Sequence, residues 1–554
     1  MLNNKKIIDV ISAHRAPIII ALVTILCLAF FVNKAFHIDD TLFVWAAKQI
    51  QNCPADFYGF YVNWYGFDAP MFLVTQNPPI ACYYIALVAS LFGFGEITIH
   101  ISFLVPAVAA ALGTYYLAKR YCSRPVWAAL AAVLTPGFLV SGTSVMCDVM
   151  MLALWVWSVF FWLRGIEKNN SPDLFYAVVL ASVCALTKYF GMSLLPLLFV
   201  YAIVKKREFG RWALFLLIPI LILACYQWRT YSLYGYGLLS TATAYASARF
   251  NPSQYLKLLT KMITGLTFTG GCTAVILFYI PLLWSKRTLL IVSVFTVLLI
   301  VVLRYAGLIG GQINGGEFAK WFLFVQAGLM AAAGVCILLI MIMDLWKSKN
   351  AESLLLLLWT AGTFVFAVFV NWSINARSLL PLIPAAGILL FRQIERYENI
   401  FARKIKIWQL VLPLVISAVL AICVCRADYL LANSARSAAA AISRIYKDNP
   451  RTIWFQGHWG FQYYMELCGG RAFNFRIPQL ESGDIVIIPV NNTNAAYLSE
   501  DSVAFNKSLM FTKGRFLATM NIPSGAGFYT NILGPLPFAF GNVAGEEYLI
   551  YSVK

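Results

Sequence analysis

The sequence predicts a mainly α, polytopic membrane protein with about 13 transmembrane helices and a small C-terminal α/β domain outside the membrane. Three observations carry that prediction. The chain of 554 residues is 61% hydrophobic and 12% charged, with mean hydropathy +0.74, more apolar than a water-soluble domain sustains. Runs of about 20 apolar residues recur, among them "APIIIALVTILCLAFFVNKAF" and "WQLVLPLVISAVLAICVC", each long enough to cross a hydrocarbon core of about 30 Å. From about residue 426 the composition shifts to short alternating segments separated by Gly, Pro and Asn.

The first apolar run follows Lys5, Lys6 and Arg15 but lacks a small-residue cleavage pattern, so it reads as a retained helix. The net charge of +18 does not imply nucleic acid, because the cations gather in clusters at Lys119/Arg120/Arg124, Arg164/Lys168, Lys205 to Arg211, Lys286/Arg287, Lys347/Lys349 and Arg392 to Lys406. With every cluster placed in the cytoplasm, spans fall near 16–36, 97–117, 126–141, 146–163, 173–187, 190–204, 211–227, 271–284, 288–304, 320–343, 353–371, 378–391 and 407–425. The apolar run at 78–95 would invert that topology if it crossed, and it reads as a re-entrant or juxtamembrane helix. This divides the chain into a membrane domain, 1–425, with external loops 37–96 and 227–270, and an extracytoplasmic domain, 426–554. The N-terminus is expected inside and the C-terminus outside, in a bacterial inner membrane.

That topology puts Asp39 and Asp40 in "HIDDTLFVWAAKQI", Asp148 after "LVSGTSVMC", Lys188 in "LTKYFG" and Arg377 in "NWSINARSLLPLIP" at one external membrane surface. Ionisable groups gathered at one depth suit a reaction in which a carboxylate takes a proton from an incoming hydroxyl while cations hold a departing phosphate. In a membrane, a phosphate-linked donor is most simply a lipid.

The ordered set "HIDDTLFVWAAKQI", "QNPPIACYYIAL", "SVMCDVMMLALW" and "ARSLLPLIPAAGILL" resembles the C-type membrane glycosyltransferases, in particular the protein O-mannosyltransferases and lipid A aminoarabinose transferases, over about 400 residues. The resemblance implies that fold, a polyprenyl-phosphate sugar donor and a glycan, lipid or protein acceptor. It also implies Asp39 as the catalytic base with Asp40 as its acidic neighbour, Asp148 orienting acceptor or sugar, and Lys188 and Arg377 on the lipid phosphate. Asn77 stands where relatives often carry Lys or His before the Pro-Pro pair, and Ser378 follows Arg377 where an aromatic is usual. A lipid-sugar flippase and a polysaccharide polymerase or ligase are the alternative readings.

The loop 227–270 combines tyrosines with Arg229, Arg249, Lys257 and Lys261, a composition suited to sugar stacking or an interfacial belt, and Arg229 joins the substrate-binding candidates. In the C-terminal domain "ADYLLANSARSAAAAISRIYKD" reads as a helix, and "TIWFQ", "DIVIIPV", "GRFLATMNI" and "YLIYSV" as strands. His458, between Trp454 and Trp459, reads as a packed turn into a helix. With four histidines and no metal-ligand spacing, no cofactor is assigned; His37 beside the acidic pair is the one candidate ligand should a divalent metal bind. Cys53 and Cys468 both fall outside, where a disulfide is permitted.

Overall fold

The computed structural model describes residues 4–75, 77–247, 255–307, 309, 317–401, 404–477, 479–511 and 516–554. Among them, eight helices are long and apolar enough to cross a bilayer, namely Glu96–Tyr121, Cys147–Lys168, Tyr189–Lys206, Trp212–Tyr234, Lys286–Ala306, Glu317–Ser348, Ala351–Val370 and Ile407–Ile445. Two bent pairs, Pro125–Val133 with Pro136–Gly142 at 64° and Leu258–Cys272 with Val275–Leu283 at 89°, raise the number to ten if each is one span. The expected 13 are not reached by length and composition. The expected spans at 16–36 and 173–187 are the shorter apolar helices Arg15–Ala29 and Ser171–Thr187, and the one at 378–391 is divided between Ala376–Leu379 and Leu382–Phe401.

The first bend has a covalent cause. Pro136 has no N–H and pushes Thr135 out of helical geometry (φ −119°, ψ 149°), and the Thr135 hydroxyl accepts from the Phe138 N–H to restart the helix. Small residues set the tightest helix contact. A Cβ on Gly270 or Gly334 would collide with the carbonyl of Met330 or Leu266, so these glycines let the helices Leu258–Cys272 and Glu317–Ser348 touch backbone to backbone.

Ile80–Phe92, within the apolar run at 78–95, is a helix of 13 residues, about 20 Å long and too short to span. The segment expected as the long loop 227–270 is largely helical, comprising the end of Trp212–Tyr234, Leu238–Ser247 and most of Tyr255–Cys272. Arg249 lies outside the described residues.

At the end of the bundle carrying Arg120, Arg164 and Lys205, basic residues meet acids, Arg120 with Glu167, Arg124 with Glu398, Arg164 with Asp173, Lys205 with Glu352, and Arg392 and Arg396 with Asp344. Asp148 lies at the first turn of the helix whose last turns carry Arg164, so this end is about 24 Å along the axis from Asp148.

The helix Ile407–Ile445 runs unbroken for 39 residues through the expected domain boundary at 425/426, joining a membrane-type first half to an Ala-rich second half. Beyond it lies a mixed sheet of β1 (Ile453–Phe455), β2 (Arg471–Ala472), β3 (Ile485–Pro489), β4 (Val503–Phe511) and β5 (Glu546–Val553), ordered β2-β1-β3-β5-β4. The β1 strand pairs parallel with β2 and β3, while β5 pairs antiparallel with β3 and β4. All five residues of β3 are buried, as its continuous apolar run requires.

This C-terminal domain grips the segment 63–66. Asn494 donates to the Trp64 carbonyl (2.9 Å), the Phe475 N–H to Gly66 (2.8 Å) and Asn63 to Phe473 (3.1 Å). His458 is buried against Trp64, with ring centroids 4.4 Å apart, and burial pushes its pKa down to about 3, so this imidazole packs as a neutral group.

Candidate active site

Four of the residues singled out by the sequence meet at one place. Asp39 Oδ2 accepts from Arg377 Nη2 at 2.9 Å, Arg377 Nη1 lies 3.9 Å from Asp148 Oδ2, and Asp148 Oδ1 is paired with Lys188 Nζ at 2.5 Å. The result is a row of alternating charge drawn from four separate segments. Asp148 is 1% exposed, whereas Arg377, Lys188 and Asp39 are 14%, 19% and 27% exposed, so the row opens at the Asp39 and Lys188 ends. Burial disfavours the charged guanidinium, but Asp39 and Asp148 outweigh it and hold the Arg377 pKa above its ordinary value.

Local structure explains the placement. Asp39 precedes the helix Asp40–Asn52, so its carboxylate sits at the positive end of that helix. Asp148 occupies the first turn of Cys147–Lys168, and Lys188 the extended residue (φ −150°, ψ 132°) that ends Ser171–Thr187. Arg377 is the second residue of a four-residue turn, Ala376–Leu379, capped by Asn375, whose side chain accepts from the Ser378 N–H.

Asp40 faces the other way. It is fully buried, with Oδ2 accepting from the His37 N–H and Oδ1 from the Val145 N–H, both at 2.9 Å. Burial raises its pKa to about 7 against the lowering effects of Lys34 and the two backbone donors. Asp40 thus ties the turn before Asp39 to the loop before Asp148. That turn is strained, since Ile38 is β-branched yet has φ +50°, a conformation costing about 1–3 kcal/mol. The Ala35 N–H to Asn433, the Phe36 N–H to Tyr464 and the His37 N–H to Asp40 hold it in place.

Asn77 borders the row from the side. Its carbonyl accepts from the buried Tyr58 hydroxyl (2.8 Å), and its Oδ1 lies 3.6 Å from the thiol of Cys147, the neighbour of Asp148. Arg229 is not part of the cluster; it lies on Trp212–Tyr234 and donates to the Ala55 carbonyl, at 3.4 Å. The His37 ring packs edge-on to Tyr529 at 5.5 Å, and among the described residues no three His, Cys, Asp or Glu side chains gather as a metal site. Cys53 and Cys468 are both exposed free thiols.

Residues 76–228 match the family model described as dolichyl-phosphate-mannose-protein mannosyltransferase. This is the family group read from the motifs. The mannosyltransferase match spans Asn77, Asp148 and Lys188, while Asp39 and Arg377 lie outside it. No curated protein matches the chain. Among solved structures, the oligosaccharyltransferase of Archaeoglobus fulgidus tethered to an acceptor peptide is 12% identical, covering 83% of this chain and 63% of its own, with TM-score 0.49. ArnT of Cupriavidus metallidurans bound to undecaprenyl phosphate is 13% identical, with coverages of 87% and 93% and TM-score 0.41. The arabinofuranosyltransferase AftD from Mycobacteria is 11% identical, with coverages of 98% and 40% and TM-score 0.41. This chain therefore spans under two thirds of the length of the archaeal enzyme.

Sequence reasoning missed a second charged group beside the row. Lys34 and Asp428, both fully buried, pair at 2.6 Å, and Asp428 also accepts from Tyr529 (2.8 Å) and Thr519 (2.9 Å). The signal was present as a lysine near the end of the first apolar run and an aspartate just after the last.

Proposed function

We propose that this chain is an integral-membrane glycosyltransferase that moves a sugar from a polyprenyl-phosphate donor to a glycolipid, polysaccharide or protein on the non-cytoplasmic face. The observation that carries the reading is the Asp39–Arg377–Asp148–Lys188 row, in which a partly exposed carboxylate stands beside a cation at 2.9 Å. The mannosyltransferase match supports a lipid-phosphate donor. Asp39 takes the proton of the acceptor hydroxyl as that oxygen forms its bond to the anomeric carbon. The bond from that carbon to the phosphate oxygen breaks, its electron pair stays on the phosphate, and Arg377 and Lys188 stabilise the added negative charge. Asp148 keeps the two cations apart and aimed, Asp40 holds the Asp39 turn, and Asn77 lines the flank. The bilayer supplies the donor, the helices cross a bacterial inner membrane with the N-terminus cytoplasmic, and residues 426–554 form a periplasmic domain that covers the acceptor side.

The test is to incubate purified protein and its Asp39→Asn variant with a panel of polyprenyl-phosphate sugars and cell-envelope extract, following free polyprenyl phosphate by mass spectrometry. Release by the wild type, reduced about 10²-fold or more in the variant, supports the reading. Lipid-sugar crossing vesicles without release makes the chain a transporter.

A further inference from the structure

Tyr529 packs beside the Asp39–Arg377 pair, and neither the motifs nor the family match accounts for it. Its ring lies 5.5 Å from the Arg377 guanidinium and packs edge-on against His37, two residues before Asp39. Its hydroxyl is anchored below, donating to Asp428 Oδ2, the oxygen that also receives Lys34 Nζ at 2.6 Å. The other Asp428 oxygen accepts from Thr519, so three segments share one buried carboxylate. The strand of chain around Tyr529 also holds the Arg377 turn by its backbone. Ala376 N–H donates to Phe528 (2.9 Å), Asn531 N–H to Ile374 (2.8 Å), and Ile374 N–H to the Asn531 side chain (2.9 Å).

A fully buried ion pair is weak evidence for stability, since apolar side chains of the same volume pack there at no greater cost. What the Lys34–Asp428 pair does specify is where the Tyr529 hydroxyl, and hence its ring face, sits. That face favours a cation above it, and a fixed ring fixes the guanidinium.

We propose that Tyr529, anchored by the buried Asp428–Lys34 pair, is a positioning residue that sets the Arg377 guanidinium against the donor phosphate, so that the site is completed by the C-terminal domain. This rests on the glycosyltransferase reading above. The ring, more than the hydroxyl, makes the contact with Arg377, which separates the effects of two substitutions.

The experiment measures KM for the polyprenyl-phosphate sugar, kcat and thermal stability for Tyr529→Leu and Tyr529→Phe, each alone and combined with Arg377→Ala. Tyr529→Leu should raise the donor KM roughly 5- to 30-fold, and Tyr529→Phe, which keeps the ring but loses its anchor on Asp428, should raise it about 2- to 3-fold. In the Arg377→Ala background neither substitution should raise the donor KM further, because the group through which Tyr529 acts is gone. Equal effects of Leu and Phe, or effects on KM that persist undiminished without Arg377, would overturn the proposal. Should the Leu variant fail to fold, the Phe variant in the same two backgrounds decides, a rise in KM that persists without Arg377 or no rise at all overturning it. Turnover lost in Asp39→Asn together with additive Tyr529 effects sinks only this inference, whereas a wild type that releases no polyprenyl phosphate from any donor sinks both.

Discussion

Replacing Asp148 by Asn tests the charge row at its most buried member. Asp148 is 1% exposed and faces Lys188 at 2.5 Å and Arg377 at 3.9 Å. At an effective dielectric of about 20, a pair at 4 Å is worth about 4 kcal/mol before desolvation is counted. Removing one partner of such a pair costs about 3–5 kcal/mol, and the lower end applies here because Asn keeps a hydrogen-bond acceptor and water reaches Lys188. Lys188→Met should cost less, about 1–2 kcal/mol, since Asp148 retains Arg377 within 4 Å. If the two groups act on each other as the geometry says, the double variant falls short of the sum of the single costs by about 1–3 kcal/mol. Chemical unfolding in detergent micelles, run on all four proteins at one pH and salt concentration, gives the coupling directly. A coupling below about 0.5 kcal/mol would mean the two side chains are independent, and the row would not be a unit.

Two further outcomes follow from the buried groups. Lys34→Ala leaves Asp428 charged and unmatched in the interior, so it should destabilise the chain by about 3–5 kcal/mol, and adding Asp428→Asn should recover much of that; a Lys34→Ala variant unfolding at the wild-type midpoint would refute the pair. Asp40, with its pKa raised to about 7, keeps its proton in the folded chain over a range where the unfolded chain has lost it, so its stabilising contribution is complete below about pH 4 and is lost as pH rises to 7. Stability measured at pH 5 and pH 8 should therefore fall more in the wild type than in Asp40→Asn, and parallel pH profiles would show that Asp40 titrates normally.

Asp39, Asp148, Lys188 and Arg377 were legible because the positive-inside pattern forces them to one surface regardless of how the helices pack. The contrast between Asp39 and Asp40 was not legible, since adjacent carboxylates look alike in sequence. It arises from backbone geometry, with Ile38 at φ +50° and Asp40 at the first helical position, which turn one carboxylate to Arg377 and the other onto two N–H groups. Ten of the 13 expected spans fall on the eight long apolar helices and the two bent pairs, and the other three fall on the shorter helices Arg15–Ala29 and Ser171–Thr187 and on the segment divided between Ala376–Leu379 and Leu382–Phe401, a break that hydropathy, which registers apolar length alone, does not reveal. The strand β4 was missed because most of its residues are exposed, leaving no inward alternation to find.

Least legible was the Lys34–Asp428–Tyr529 group, whose members are separated by up to nearly the whole chain and obey no spacing rule. Each taken alone has an ordinary explanation, a flanking lysine, an interfacial acid and a domain tyrosine. Only the fold, by carrying the helix Ile407–Ile445 unbroken from the membrane into the sheet domain, places Asp428 where the first apolar run ends and where the segment 526–531 returns to clasp the Arg377 turn. The charged row is therefore assembled by contacts from both ends of the chain, and a sequence argument that treats the C-terminal domain as a separate cap has no means of finding the residue that stands beneath Arg377.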